Sequence, residues 1–402
     1  MYDLAAMGAW LEFAVRWLHV ITAIAWIGSS FYFIALDLGL HRDRNLSSGA
    51  DGEEWQVHGG GFYHIQKYLV APAGMPDGLI WHKWQSYWTW MSGFFLLVLV
   101  YYLGAEFYLI DPNVLDLSTW QAIAISIASL AFGWMAYNLL CKVFVNADQT
   151  MLMLALFAVL VFMSWFYTQV FTGRAALLHL GAFTATIMSG NVFFIIIPNQ
   201  KIVVADLMEG RAPDAIYGKI AKQRSTHNNY LTLPVIFLML SNHYPLAFAS
   251  PYNWVIASLV FLLGVTIRHW FNSHHARKGN PHWTWAVTVL IFIVIAWLSV
   301  APTPEREAQV HTRFASAEGF DQVHDIVLGR CSMCHAAEPV WNGLLWAPKG
   351  VVLETPADLT RNARAVYLQS AISHAMPPAN LSYMEEDERA AIAAWYRAAT
   401  DS

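Results

Sequence analysis

Cys331-Ser332-Met333-Cys334-His335 is the run whose residue types and spacing bear most directly on chemistry. Two thiols at this spacing reach two vinyl groups of one haem from a single helical turn. The histidine that follows then lies under the ring and ligates iron. The second axial ligand in such a site is usually methionine, whose soft thioether raises the reduction potential. Met376, in Ala375-Met376-Pro377-Pro378, is the best placed, because the prolines hold an extended segment there. Met384 opens the last helix and Met333 lies inside the motif, so both are weaker candidates. The prediction is one covalent haem c on Cys331 and Cys334, with His335 and Met376 on its iron. A zinc site or a redox dithiol can use the same thiol spacing, but a lone motif beside a methionine ligand favours haem. The remaining cysteine, Cys141, sits in an apolar stretch and reads as a small buried hydrophobe, so no disulfide framework is implied.

A second set of chemistry-bearing residues lies in or beside strongly apolar sequence. Ionisable groups in such segments are functional candidates by default. His19, His179, His243 and His269 are candidate ligands for one or two non-covalent b-type haems, since facing histidines on a helical bundle can clamp iron from both sides. His82 and His227 are candidate bases. Lys83, Gln85, Arg224, Asn228 and Asn229 could bind a planar anion, for which a cation and paired hydrogen-bonding groups are needed. Capping of a helix end is the competing role for each of these.

The elements that must position these groups are membrane helices. Hydrophobic residues make up 57% of the 402 and charged residues only 13%, half the usual share for a soluble domain. The net charge of −5 is small and argues against nucleic acid as a partner. Eight apolar runs are long enough to be crossings: 9–36, 84–103, 118–140, 151–170, 175–198, 228–240, 252–271 and 283–301. Lipid offers no partner for open backbone groups, so these runs must be helical.

With the N-terminus outside, the odd-numbered connections hold Arg42, Arg44, Lys67, Lys83, Lys142, Lys201, Arg211, Lys219, Lys222, Arg224, Arg277 and Lys278. The even ones hold Arg174 as their one basic residue, and the second carries Glu106, Asp111 and Asp116. The positive-inside rule then places both chain ends in the periplasm. Haem c is attached in that compartment, so the charge count and the motif agree. The N-terminal residues have no basic leader pattern, so no cleaved signal peptide is expected. The expected architecture is all-α: an eight-helix transmembrane bundle over 1–301, a polar linker over 302–313, and a small class I cytochrome c domain over 314–402. The first and fifth connections are long, and the first contains Gly59-Gly60-Gly61.

Two resemblances carry the reading further. Trp17-Leu18-His19, Trp26-Ile27-Gly28 and Phe31-Tyr32 resemble the first helix of a bacterial membrane protoporphyrinogen oxidase family, which carries a b-type haem. Longer runs span nearly the whole chain. They include Met75-Pro76-Asp77-Gly78-Leu79-Ile80-Trp81-His82-Lys83-Trp84-Gln85 and Trp88-Thr89-Trp90-Met91-Ser92-Gly93-Phe94. Ile197-Pro198-Asn199-Gln200 follows, then His227-Asn228-Asn229-Tyr230-Leu231-Thr232-Leu233-Pro234 and Ser241-Asn242-His243-Tyr244-Pro245. On these the chain resembles the membrane-bound urate oxidase (urate hydroxylase) family, in which an eight-helix domain is fused to a cytochrome c. The resemblance implies oxidation of urate to 5-hydroxyisourate in the bacterial inner membrane. Electrons would pass through haem to a periplasmic cytochrome c or a terminal oxidase, rather than directly to oxygen. The competing reading is a non-catalytic membrane cytochrome linking quinol to a periplasmic acceptor; it has little need of the polar cluster at the cytoplasmic helix ends.

Overall fold

The computed structural model describes residues 4–43, 45–68, 76, 78–145, 148–301 and 304–400. Arg44, Met75, Asp77, Pro302 and Thr303, all used above, lie outside the described residues. Two compact units emerge: Met1–Asn242 with Tyr252–Trp297, and His243–Pro251 with Leu298–Ser402.

The first unit is mostly helical. Its elements are α1 (Leu4–Gly39), a hairpin of β1 (Ala50–His58) and β2 (Gly61–Tyr68), α2 (Trp84–Leu96), α3 (Thr119–Val143), α4 (Gln149–Val170), α5 (Gly173–Gly190), α6 (Ile197–Met208), α7 (Ala215–Ser241), α8 (Asn253–His275) and α9 (Trp283–Ser299). Each of the eight apolar runs lies largely in a helix. Among the described residues, five helices are long and apolar enough to cross a membrane: Met7–Gly39, Thr119–Val143, Gln149–Val170, Gly173–Met208 and Asn253–His275. The other three runs differ from expectation in instructive ways. The run at 84–103 divides into α2 and a wide turn at Leu97–Tyr102. The run at 228–240 is the apolar half of the longer α7, whose first turns are polar. The last, α9, has 17 residues. The run expected to stop at Pro198 instead continues to Met208, because a wide turn at Asn191–Ile196 puts that proline in the first turn of α6. A missing N–H costs least in a first turn.

Helix starts follow local chemistry. The Ser118 hydroxyl accepts from the Gln121 backbone N–H, and the Gln121 side chain accepts in return from the Ser118 N–H. Asp148, Thr172 and Asp214 cap α4, α5 and α7 through their side-chain oxygens. Helices then approach through glycine, as small residues allow where lipid supplies no hydrophobic drive. A Cβ at Gly133 on α3 would lie 2.6 Å from the Phe183 ring of α5. One at Gly190 would lie 2.0 Å from Trp134. One at Gly264 on α8 would lie 2.5 Å from the ring of Pro234, so α7 carries its internal proline against a helix with no side chain there.

The hairpin corrects the all-α expectation. Its strands pair antiparallel from Gly52 opposite Lys67 to His58 opposite Gly61. Gly59 and Gly60 turn the chain at φ +59° and +81°, the left-handed pair that a two-residue hairpin turn requires. Tyr32 of α1 donates to the Gln56 side chain at 2.8 Å, and Lys67 pairs with Asp37, so the hairpin is fastened to α1.

In the second unit, α10 (Pro304–Ala315) is helical where a linker was expected, from the first described residue after Pro302 and Thr303. It is followed by α11 (Phe320–His335), α12 (Pro356–Arg361), the turn Ala363–Val366, a wide turn at Tyr367–Ile372, and α13 (Glu386–Thr400). Phe314, Val323, Val327, Leu359, Val366, Ile392, Trp395 and Tyr396 form one core. The Trp395 indole N–H donates to the Phe314 carbonyl at 3.0 Å, which satisfies its polar atom inside that core.

Candidate functional site

Two clusters in the first unit and one in the second hold the residues singled out by sequence. The first is built around Arg224, on the polar half of α7, and is buried. Its guanidinium donates to the Asn138 side-chain oxygen of α3 at 2.9 Å and to that of Asn191 at 3.3 Å. It also lies over the Tyr137 ring, 4.8 Å from the centroid. One turn further, His227 Nδ1 and the Tyr137 hydroxyl are 2.8 Å apart. Among the described residues no carboxylate pairs with Arg224, and its Nε has no partner at all. A buried cation partnered by neutral amides and a ring face favours an anion beside it.

Asn228 supports this cluster. Its amide donates to the Met188 carbonyl at 2.9 Å, and its oxygen accepts from Asn191 at 3.0 Å. Each end of the amide makes one such bond, so Asn228 aims Asn191. Asn229 is one residue on, about 100° around the helix, and faces a different cluster. Its oxygen accepts from Arg268 Nε at 3.1 Å and from Asn272 at 3.2 Å, while its own Nδ2 has no partner. Arg268 donates to Asn272 as well and stacks on Phe31 of α1, 4.3 Å from the ring centroid. Helix α7 therefore carries two basic clusters on different faces. Arg268, Asn272, Asn191, Asn138 and Tyr137 escaped the sequence reading. Arg268 could have been found, because a charged residue inside the 252–271 apolar run is itself the signal.

The remaining candidates are more scattered. Lys83 lies over the Trp84 ring at 5.3 Å, and His82 is exposed in the turn before α2, 4.8 Å from the Phe33 ring. Gln85 opens α2 and accepts through its carbonyl from Thr89. No described contact joins these three to Arg224. His243, expected within a helix, lies in the exposed turn beyond the end of α7. His269 is exposed on α8, 6.3 Å from the Trp283 ring.

The candidate haem b ligands in the first unit have separate surroundings. His19 Nδ1 lies 3.0 Å from the Thr89 carbonyl and 3.2 Å from the Ser92 hydroxyl of α2. Its ring rests where Gly93 has no side chain. His179 is fully buried among Tyr101, Tyr167 and Phe171. Its Nδ1 lies 2.8 Å from the Ala175 carbonyl and its Nε2 2.8 Å from the Ser126 hydroxyl. Both nitrogens are thus used, and His179 as arranged does not fit an iron ligand.

In the second unit the motif ends α11. Cys331 is buried in the core, Cys334 is half-exposed, and both are free thiols. Burial and the neighbouring Cys334 push the Cys331 thiol up to about 12. His335 Nδ1 donates to the Val351 carbonyl at 2.8 Å, which leaves Nε2 as the free, basic nitrogen. The Leu353 N–H donates to the His335 carbonyl at 2.7 Å, and that of Trp341 to the Met333 carbonyl at 3.0 Å, so two segments are tied to the motif. The Met376 side chain is exposed. Val340, Leu345, Trp346 and Tyr383, near these ligands in sequence, are also strongly exposed apolar residues. Two thiols one turn apart, an imidazole with its far nitrogen free and an uncovered thioether are the donor set of a covalent haem c, and they fit it.

Helices long and apolar enough to cross a membrane surround two buried arginine–amide clusters, which is consistent with a membrane protein. Residues 5–299 match the family model described as urate oxidase N-terminal, and the chain belongs to that family. Membership points to a urate-related function and to an oxidoreductase. The match ends at residue 299, before the thiol motif. No curated protein and no solved structure matches the chain.

Proposed function

We propose that this chain oxidises urate to 5-hydroxyisourate within a bacterial inner membrane and passes the electrons through haem c in its C-terminal unit. The observation that carries the reading is the family match over residues 5–299. The balance is simple: urate and one water give 5-hydroxyisourate, two protons and two electrons. Because the added oxygen comes from water, the oxidant need only accept electrons. When bound, the haem supplies that one-electron acceptor; a periplasmic cytochrome c or a terminal oxidase then drains it.

The chain's own residues have distinct tasks in this scheme. Arg224 supplies the positive charge for the urate anion, and its uncommitted Nε supports that role. Asn191 and Asn138 hold the guanidinium in place, and Asn228 holds Asn191. His227 takes the proton as water adds at the purine; the Tyr137 hydroxyl at its Nδ1 fixes the ring. All eight helical runs cross the bilayer, with the haem c unit on the periplasmic side, as the charge asymmetry of the connections supports.

The test is anaerobic turnover of the purified chain with ferricyanide as acceptor in water enriched in oxygen-18. The label should enter the new hydroxyl of the product. An unlabelled product, or turnover that requires dioxygen, would refute the reading. Arg224→Gln should raise KM about tenfold to a hundredfold, the worth of a hydrogen bond to a charged group. His227→Ala should lower kcat about a hundredfold or more; unchanged turnover would remove His227 as the base.

A further inference from the structure

Arg389 lies on α13, the last helix, yet it points into the second unit and is only 5% exposed. Among the described residues no carboxylate pairs with it. Its guanidinium is spent instead on the segment that carries Met376. One terminal nitrogen donates to the Ser370 carbonyl and, at 3.0 Å, to the carbonyl of Met376 itself. The other donates to the Asn380 side-chain oxygen at 3.2 Å. Asn380 in turn accepts from the Met384 N–H and donates to the Met384 carbonyl, both at 3.0 Å. One guanidinium therefore grips the chain before Met376, at Met376 and after it.

The far end of the same segment is fastened separately. Arg330, the residue before Cys331, donates to the Ser382 carbonyl at 2.9 Å and forms a two-pronged pair with Glu388 on α13. Apart from these bonds the Met376 segment holds little regular structure: Met376 N–H donates to the Gln369 carbonyl at 2.8 Å, and a single turn follows at Pro378–Asn380. An irregular segment with an exposed thioether needs fixed anchors if its sulfur is to sit at one place. A buried charge left without a carboxylate is costly unless its hydrogen bonds are all directed to fixed acceptors. Here the acceptors are the backbone of the Met376 segment.

We infer that Arg389 is a positioning residue that holds the Met376 segment in the conformation in which its sulfur ligates the haem iron, and thereby sets the reduction potential of the cytochrome. The inference rests on the haem c reading above. Thioether ligation favours the ferrous state, so a segment that swings away should lower the potential and let water or another base take the iron.

The experiment uses the full-length chain in detergent, as wild type, Arg389→Gln, Arg389→Lys, Asn380→Ala and Met376→Ala. A c-type pyridine haemochrome in the wild type establishes the haem first; its absence would overturn the haem reading itself rather than the role of Arg389. With haem present, Arg389→Gln should weaken the far-red absorption band of sulfur ligated to ferric iron. It should also shift the ferrous–ferric equilibrium at least tenfold, about 59 mV for one electron. The pH at which the band disappears should fall. Arg389→Lys should restore part of the band, and Asn380→Ala should act in the same direction but more weakly. Combining Met376→Ala with Arg389→Gln should lower the potential no further than Met376→Ala alone, the non-additivity expected of two residues in one ligation. Full haem content with an unchanged band, potential and pH profile in Arg389→Gln would overturn the inference, as would additive effects in the double variant. Should Arg389→Gln fail to fold, Arg389→Lys and Asn380→Ala carry the same comparison.

Discussion

At the scale of single residues, the thiol motif stands out in sequence, because two cysteines and a histidine at fixed spacing share about one turn at the end of α11. Its supporting partners were not legible. Val351, whose carbonyl holds His335, is 16 residues away and contributes only backbone. The Arg224 site was half legible. Arg224, His227 and Asn228 stood out as polar residues beside apolar sequence, but Asn138 and Asn191 come from other helices and give no local pattern. Asn228 and Asn229, adjacent and alike in type, proved to face different clusters, a division set by helical geometry and invisible in composition. Two predictions belong here. Cys331→Ser should leave haem held by one thioether at most, lowering the covalent haem recovered after denaturation; equal recovery would show that Cys331 is not an attachment site. Glu388 offers a test by pH. Burial by itself would raise its carboxyl, but Arg330 and the Glu385 N–H hold it below the ordinary value of 4.5. A depressed carboxylate stabilises above its unfolded value, and that stability is lost as pH falls through the folded value. The thermal midpoint of the second unit should therefore drop on acidification below the ordinary value of 4.5, and Glu388→Gln should flatten that drop.

At the scale of elements, apolar run length located helices well and their ends poorly. The apolar run ends at Pro198, but the helix continues through it because a wide turn precedes it, and Pro234 stays inside α7 against Gly264. The hairpin lies outside the apolar runs, although Gly59-Gly60 between residues such as Val57 and Phe62 is a hairpin signal in its own right. Helix contacts through glycine make a sharp prediction. Gly264→Ala would press a methyl into the Pro234 ring, and rigid backbone on one side and a ring on the other leave no room to yield. The cost should be about 1–3 kcal/mol, read as a lower thermal midpoint. Gly218→Ala, also in a helix but with nothing within 4 Å of its added methyl, should be neutral or slightly stabilising. Equal effects of the two would show that α7 and α8 do not pack this closely.

At the scale of the whole molecule, composition suggests a division after residue 301, between an apolar helical part and a small C-terminal part. The boundary falls at 297–298, with 243–251 joining the second unit, which no run of composition could reveal because it depends on contacts between distant segments. The proposed orientation predicts that alkaline phosphatase fused after Ser402 is active in cells and that green fluorescent protein at the same place is dark; the reverse pattern would place the second unit in the cytoplasm. Electron transfer from urate in the first unit to haem c in the second can be followed in a single mixing experiment. Oxidised, purified full-length chain is mixed with urate under strict anaerobiosis while the c-type haem spectrum is followed. Two haem equivalents should be reduced per urate consumed, with the rate at limiting urate lowered about tenfold or more in Arg224→Gln. A c-type haem that dithionite reduces but urate leaves oxidised would contradict it.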